Sequence, residues 1–268
     1  MTLTIGGVEI GSGQPCRFVA ELGNASNGDF HTLLRLIDAA VLAGADFVKF
    51  QCYTPDELVA LRGDGPAPGP WGSQGWTMRT LYEKARTPLH WFPALAEYCA
   101  KVGIPWFSSV FGAQSLAVLE ACGCPVYKIA RLDAHHTWLT AAAGWHTEKP
   151  LIVSWDGTGD DPRDNLPSGD IEDGGTNVSL LYCPQGYPQS RFQFGRRWSV
   201  DFPDFLGFSY HGTSIEPPIV AATLGAKIIE AHFQLDDEPS ELEANVSLTQ
   251  TAFREMVRRV REVERMLA

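Results

Sequence analysis

The 268 residues are 44% hydrophobic and 20% charged, with a formal net charge of −11, enough apolar mass for one large α/β domain or two small ones and far from a disordered composition. The acidic balance excludes a polyanion binder, because the only basic cluster, 254–265, alternates with Glu and Val and reads as a solvated helix face. No apolar run reaches membrane-spanning length, the start MTLTIGG lacks signal-peptide character, and the six cysteines include no CxxC pair, so Cys52, Cys99 and Cys183 in their apolar runs read as buried thiols of a cytoplasmic protein.

Residues 1–14 alternate and turn at Gly6-Gly7, which predicts a β-hairpin ahead of the main fold. Eight short apolar runs follow, at 16–22, 45–51, 104–110, 125–131, 150–156, 177–184, 204–211 and 226–233. Their Val, Ile and Phe content fits buried parallel strands. Amphipathic segments separate most of them. In 30–43, Leu33, Leu34, Ile37, Ala40 and Val41 share one face and Gly44 closes the helix. Segments 89–102, 114–121, 134–143, about 214–224 and about 249–267 behave similarly. Strand and helix repeated eight times predict one (β/α)₈ TIM barrel over 1–268. A doubly wound open sheet is the alternative, but eight units without a Gly-rich phosphate fingerprint favour the barrel. Two stretches break the rhythm. Residues 55–79, rich in Gly and Pro and carrying Trp71 and Trp76, read as a lid loop over the barrel mouth. Residues 157–176 stand as an irregular segment where the fifth helix belongs; an interdomain linker there would leave the strand count harder to explain.

Barrel chemistry gathers at the C-terminal ends of the strands. Those ends carry Glu21, Lys49 with Gln51, Ser108 with Ser109, Lys128 with Arg131, Ser154, Tyr187, Ser209 with His211, and Glu230 with His232. Lys49 and Lys128 lie inside apolar runs, where an ammonium group is costly unless an anion meets it. With Arg131 and the serine hydroxyls they predict a pocket for phosphate or carboxylate, against the alternative of an ion-pair network closing the barrel top. Glu21 is a candidate general base or a carboxylate beside a metal. His211 and His232 end consecutive strands, so they either share a divalent metal or bond backbone at their strand ends.

The chain resembles the sialic acid synthases, the phosphoenolpyruvate-dependent enzymes that make nonulosonic acids. The resemblance runs through TIGGVEIG, AELGNASNGD, LIDAAVLAGADFVKFQ, YKIA, CPQGYP, GFSYHGTS, LGAKIIEAHFQLD and SLTQTAFREMV. It implies that His211 and His232 bind a divalent metal, usually manganese, with magnesium as the alternative. It implies that Lys49, Lys128 and Ser154 hold phosphoenolpyruvate, and that Glu21 assists proton transfer or water activation. The implied reaction joins C3 of phosphoenolpyruvate to the aldehyde of an open-chain N-acetylated amino sugar, adds water at C2 and releases phosphate by C–O cleavage. Gln51, Ser109, Arg131, Ser154, Tyr187, Ser209 and Glu243 are the expected substrate-binding set. A homodimer is the implied assembly, since the family's C-terminal antifreeze-like domain reaches into the partner's site; that domain has no counterpart in these 268 residues.

The departures matter as much. Ala25-Ser26 replaces Asn-His, Arg131 replaces a serine, Ser154-Trp155-Asp156 replaces Ser-Thr-Gly, Tyr210 replaces an aspartate, and Glu243 stands for a substrate-binding aspartate. Trp155 and Tyr210 are expected to shrink the sugar pocket, which favours an aldehyde other than N-acetylmannosamine. Three readings follow: a synthase condensing phosphoenolpyruvate with a different aldehyde, a sialic acid synthase tolerant of these changes, or a non-catalytic barrel that binds a phosphorylated ligand or partner.

Overall fold

A parallel strand covered on both faces must be apolar along its length, and the runs above fold that way. The computed structural model describes residues 2–136, 149–165, 178–189 and 205–267. It begins with the antiparallel hairpin of β1 (Thr2–Ile5) and β2 (Val8–Gly11), which turns at Gly6 and Gly7, both at positive φ. Leu3, Ile5 and Ile10 are buried, and Gly6 abuts Pro105 just ahead of the third barrel strand.

The barrel strands are β3 (Arg17–Glu21), β4 (Phe47–Cys52), β5 (Trp106–Val110), β6 (Tyr127–Ile129), β7 (Leu151–Trp155), β8 (Val178–Tyr182), β9 (Phe205–Tyr210) and β10 (Ile228–Gln234). They pair in that order, all parallel, and β10 bonds both β9 and β3, so the sheet closes into an eight-stranded barrel. Side chains alternate between interior and helix layer. Phe47 and Phe107 meet edge to face inside, with centroids 6.3 Å apart. Phe50 points outward to Phe92, at 6.2 Å, and Phe233 to Phe253, at 5.4 Å.

Eight α-helices lie among the described residues. Helix α1 (Phe30–Ala43) starts where the Asp29 side chain accepts from Thr32 N and stops at Gly44, whose φ of 88° suits glycine. Helices α5 (Phe92–Val102), α6 (Ala113–Ala121), α7 (Glu216–Thr223) and α8 (Gln250–Leu267) fall where the sequence predicts them. The expected helix 134–143 and the irregular segment 157–176 lie largely outside the described residues; within the latter, Pro162–Asn165 forms a 3₁₀ turn. A two-residue strand β11 (Leu248–Thr249), parallel to β10, extends the sheet beyond the barrel.

The expectation of a loop at 55–79 is corrected. It contains α2 (Pro55–Arg62), α3 (Gly69–Ser73) and the start of α4 (Met78–Ala85). Thr54 and Glu57 form a capping box with Pro55 in the first turn, and the Thr-Pro-Asp-Glu string is its sequence signature. Glu57 also accepts from Gln114 N at 2.8 Å and Ser115 N at 3.0 Å. One carboxylate therefore ties α2 to the start of α6, where the helix dipole favours negative charge.

Barrel closure leaves no room at Gly207. A Cβ there would come within 2.1 Å of Ile228 O on the neighbouring strand. Gly207→Ala is expected to lower unfolding free energy by about 3 kcal/mol, the upper end for overpacking, as read from urea denaturation. A wild-type midpoint would show that β10 yields to the methyl group.

Candidate active site

Every barrel strand ends at one mouth, which holds a cavity of about 370 Å³. Of the residues expected there, Lys49, Gln51, Ser109, Lys128, Arg131, Ser154, Tyr187, Ser209, His211, His232 and Glu243 all line it. Glu21 does not. It is 1% exposed and sits behind Lys49 and Gln51. Its Oε1 accepts from Gly23 N at 2.8 Å and Gln51 Nε2 at 3.0 Å, while Oε2 pairs with Lys49.

The buried charges form a chain around the barrel. Lys49 Nζ pairs with Glu21, bonds Ser109 Oγ at 3.0 Å and lies 3.8 Å from Glu230 Oε1. Lys128 Nζ bonds Ser154 Oγ at 2.5 Å and is also 3.8 Å from Glu230 Oε1. That same oxygen accepts from Ser209 Oγ at 3.0 Å. Both lysines are buried, yet they are poised differently. Burial pulls Lys49 down, but Glu21 and then Glu230 outweigh it and raise its pKa. Burial and the charge of Lys49 leave Lys128 lowered, against the opposing pull of Glu230. Burial pushes Glu230 up, but Lys128 and Lys49 bring it down to about 2. Lys128 is thus the less compensated cation, and Glu230 Oε2 is buried with no hydrogen-bond partner among the described residues.

Across the cavity the rings of His211 and His232 have centroids 5.0 Å apart, and Tyr187 packs against both, at 5.1 and 5.8 Å. His232 Nδ1 faces Glu243 Oε2 at 3.1 Å. His211 is held by Gln189, whose Oε1 accepts from His211 N at 3.1 Å and whose Nε2 lies 3.2 Å from His211 Nδ1. Burial, then the neighbouring His232, push His211 well below the ordinary histidine range. That keeps it in the neutral, ligating form. Burial lowers His232, but Glu243 outweighs it and raises the group. The centroid spacing lets one ion bond a nitrogen of each ring at about 2.1 Å, so the pair fits a divalent metal as two nitrogen donors. Among the described residues no cluster of three His, Cys, Asp or Glu forms around them, so further ligands would be water or substrate oxygen.

Two expectations are overturned. Trp155 and Tyr210 do not enter the cavity. Each follows a serine that faces inward, and the period of two sends the next side chain to the helix layer. Trp155 Nε1 donates to Thr158 O at 2.8 Å, and its ring packs 5.8 Å from Phe205. Tyr210 is buried, stacks 6.0 Å from Phe208 and accepts from Ser214 N at 3.0 Å. Trp76 also stays outside, beneath Lys84, whereas Trp71 lines the mouth.

The outer cavity wall comes from α2–α4, the stretch read from the sequence as lying over the barrel mouth, though as helices and not as a loop. Leu58, Trp71, Met78, Leu81 and Tyr82, with Leu132 and Leu242, make it apolar. Within it Arg62 is held bidentately by Asp133, at 3.0 and 2.6 Å. Asn24, Cys183 and Glu230 also line the cavity. Glu230 was legible as a strand-end carboxylate; Asn24 and Gln189 carry no signal in their spacing, because loops deliver them.

The NeuB family model matches residues 36–268. The pseudaminic acid synthase of Helicobacter pylori is 32% identical over 262 residues, covering 93% of this chain and 74% of that protein. The N-acetylneuraminate-9-phosphate synthase of Homo sapiens is 28% identical over 271 residues, covering 96% and 73%. Among solved structures, the N-acetylneuraminic acid synthetase of Leptospira borgpetersenii, in complex with citrate, superposes with a TM-score of 0.83 at 24% identity, over all of this chain and 90% of that one. A truncated 3-deoxy-D-arabino-heptulosonate 7-phosphate synthase of Thermotoga maritima gives 0.69 at 15%, over 100% and 93%; at these identities the two structures speak for the fold. A closed parallel barrel and a family match over most of its length lead to one conclusion: the chain belongs to the NeuB family, whose members are phosphoenolpyruvate-condensing synthases, and is an enzyme of that transferase type.

Proposed function

We propose that this enzyme condenses phosphoenolpyruvate with an acylated amino-sugar aldehyde other than N-acetylmannosamine, assisted by a divalent metal, manganese first. The observation that carries the reading is the pairing, in one cavity, of two buried lysines, of which Lys128 is under-compensated, with two facing histidines. Lys128 with Ser154 and Lys49 with Ser109 form the cradle for the phosphate, and Arg131, whose guanidinium bonds Asp156 at 3.4 Å among the described residues, has donors left for the carboxylate. Glu21 serves as a positioning residue that keeps Lys49 charged and aimed. A metal held by His211 and His232 would supply Lewis-acid polarisation of the aldehyde.

As C3 attacks the aldehyde carbon and water adds at C2, a proton must leave that water. Glu230 lines the cavity, and its Oε2, without a hydrogen-bond partner among the described residues, is the acceptor proposed for it. Its acidity rests on the two lysines, so a phosphate that draws their charge loosens that hold and makes the carboxylate a better base. The cradle then keeps the leaving phosphate's charge matched as the C–O bond breaks.

The acceptor end supports the substrate choice. The wall from Leu58, Trp71, Met78 and Leu81 offers few partners to the hydroxyls of a hexosamine and good cover to deoxy and acyl methyl groups. We take α2–α4 as the cover of this end. Asn24 contributes a buried Oδ1 without a partner, suited to a sugar amide N–H.

Phosphate release with phosphoenolpyruvate and Mn²⁺ across an aldehyde panel tests the proposal. A diacetamido-trideoxyhexose is expected to turn over and N-acetylmannosamine poorly; robust turnover of the latter would make this a sialic acid synthase. No turnover with any aldehyde would point to a non-catalytic barrel.

The lysines separate in a second test. Lys128→Met is expected to weaken phosphoenolpyruvate binding by at least ten-fold, since a charge-assisted bond is worth about 1.5–3 kcal/mol, while leaving the melting temperature at or above wild type. Lys49→Met strands Glu21 and Glu230 in a buried site and is expected to cost about 3–5 kcal/mol of stability. Calorimetry with both variants checks this, and equal thermal losses would refute the asymmetry. His232→Ala is expected to abolish Mn²⁺ retention in equilibrium dialysis with an unchanged circular dichroism spectrum; retained metal would remove the histidine pair as its site.

A further inference from the structure

Glu243 lies where four stretches of chain meet. It is 5% exposed, and its oxygens are divided among partners. Oε2 faces His232 Nδ1 at 3.1 Å on β10. Oε1 accepts from Asn24 Nδ2 at 2.8 Å, in the connection after β3, and from the Tyr187 hydroxyl, in the connection after β8. Its backbone is pinned from both sides: Glu243 N donates to Ser240 Oγ at 3.0 Å, and Ser247 Oγ donates to Glu243 O at 2.8 Å. A carboxylate this fully engaged has little left for an incoming sugar, so the substrate-ligand role expected from the sequence suits it badly. The geometry fits another task. A carboxylate only accepts, so the His232 nitrogen facing it must carry the proton. Nε2 is then the nitrogen with a free lone pair.

We infer that Glu243 is the positioning residue of His232: by accepting from Nδ1–H it fixes the ring's tautomer and orientation so that Nε2 is offered to a divalent cation, and Asn24 and Tyr187 hold the carboxylate in place. The cation part rests on the metal-assisted reading above; the tautomer part does not. Carboxylates that orient ligating histidines in this way typically govern affinity 10–100-fold. Among the described residues no carboxylate bonds His211, which the Gln189 amide holds instead. The two rings are therefore supported unequally, and the inference concerns His232 alone.

Two measurements keep the parts distinguishable. In metal-free protein at alkaline pH, imidazole ¹H–¹⁵N correlations, assigned with His232→Asn, are expected to show His232 protonated on Nδ1 in wild type. Glu243→Gln, which keeps an acceptor oxygen of the same reach, should preserve that signature, and Glu243→Ala should shift the proton to Nε2. A wild-type ring protonated on Nε2, or an alanine variant unchanged, overturns the inference. In the second measurement Mn²⁺ alone is titrated against each folded variant. Affinity should fall roughly 10–100-fold in Glu243→Ala and less in Glu243→Gln. Undiminished affinity in the alanine variant, with only the acceptor's KM raised, overturns the inference and makes Glu243 a sugar ligand. A wild type that binds no Mn²⁺ while His232 still carries its proton on Nδ1 overturns the metal-assisted reading and leaves the tautomer assignment standing.

Discussion

Two ammonium groups at the closed end of a barrel mouth set the terms for the rest of the site. Lys49 and Lys128 are both buried, and neither position is tolerable without a nearby anion. Glu21 answers Lys49 directly, and Glu230 is shared between the two at 3.8 Å from each. The result is a deliberate imbalance: one lysine satisfied, the other short of negative charge. The two buried cations are therefore unequally compensated before any ligand enters. This also explains why Glu21 can sit outside the cavity and still matter, since without it Lys49 would compete with Lys128 for Glu230.

The opposite wall follows a different logic. There the groups are imidazoles, and what they need is orientation. Loops supply it: Gln189 grips His211 through backbone and side chain, and Glu243 meets His232 while being held by Asn24 and Tyr187. The strands set the depth of the two rings and the connections set their facing. A site divided this way places its buried cations on rigid strand ends and the orientation of its imidazoles on loops that other loops hold in place.

Between cradle and solvent stands a wall built outside the barrel repeat. Helices α2 and α4 lean on each other, and Glu57 fastens the first of them to the start of α6. This insertion sets the polarity of the outer cavity. Because Trp155 and Tyr210 lie in the helix layer, the large side chains facing the outer cavity are Leu58, Trp71, Met78 and Leu81 instead.

The eight apolar runs, the hairpin and most of the helices were legible in the sequence, because burial on both faces of a parallel strand and one face of a helix leaves a periodic mark. The same periodicity put Lys49, Lys128, Ser154, Ser209, His211, Glu230 and His232 at strand ends, and the barrel brought them to one cavity. A capping box, Thr54 with Glu57, marks the start of α2, but it stands at the head of a Gly- and Pro-rich stretch whose composition reads as a loop. What tertiary structure alone decided was direction and partnership. A shift of one residue along a strand reverses a side chain's face, so Trp155 and Tyr210, read as pocket residues by position, belong to the outer layer. Glu243 and Asn24 are 219 residues apart, and nothing local in either records the contact. Whether a buried lysine is satisfied or wanting depends on distances between strands that only closure of the barrel fixes.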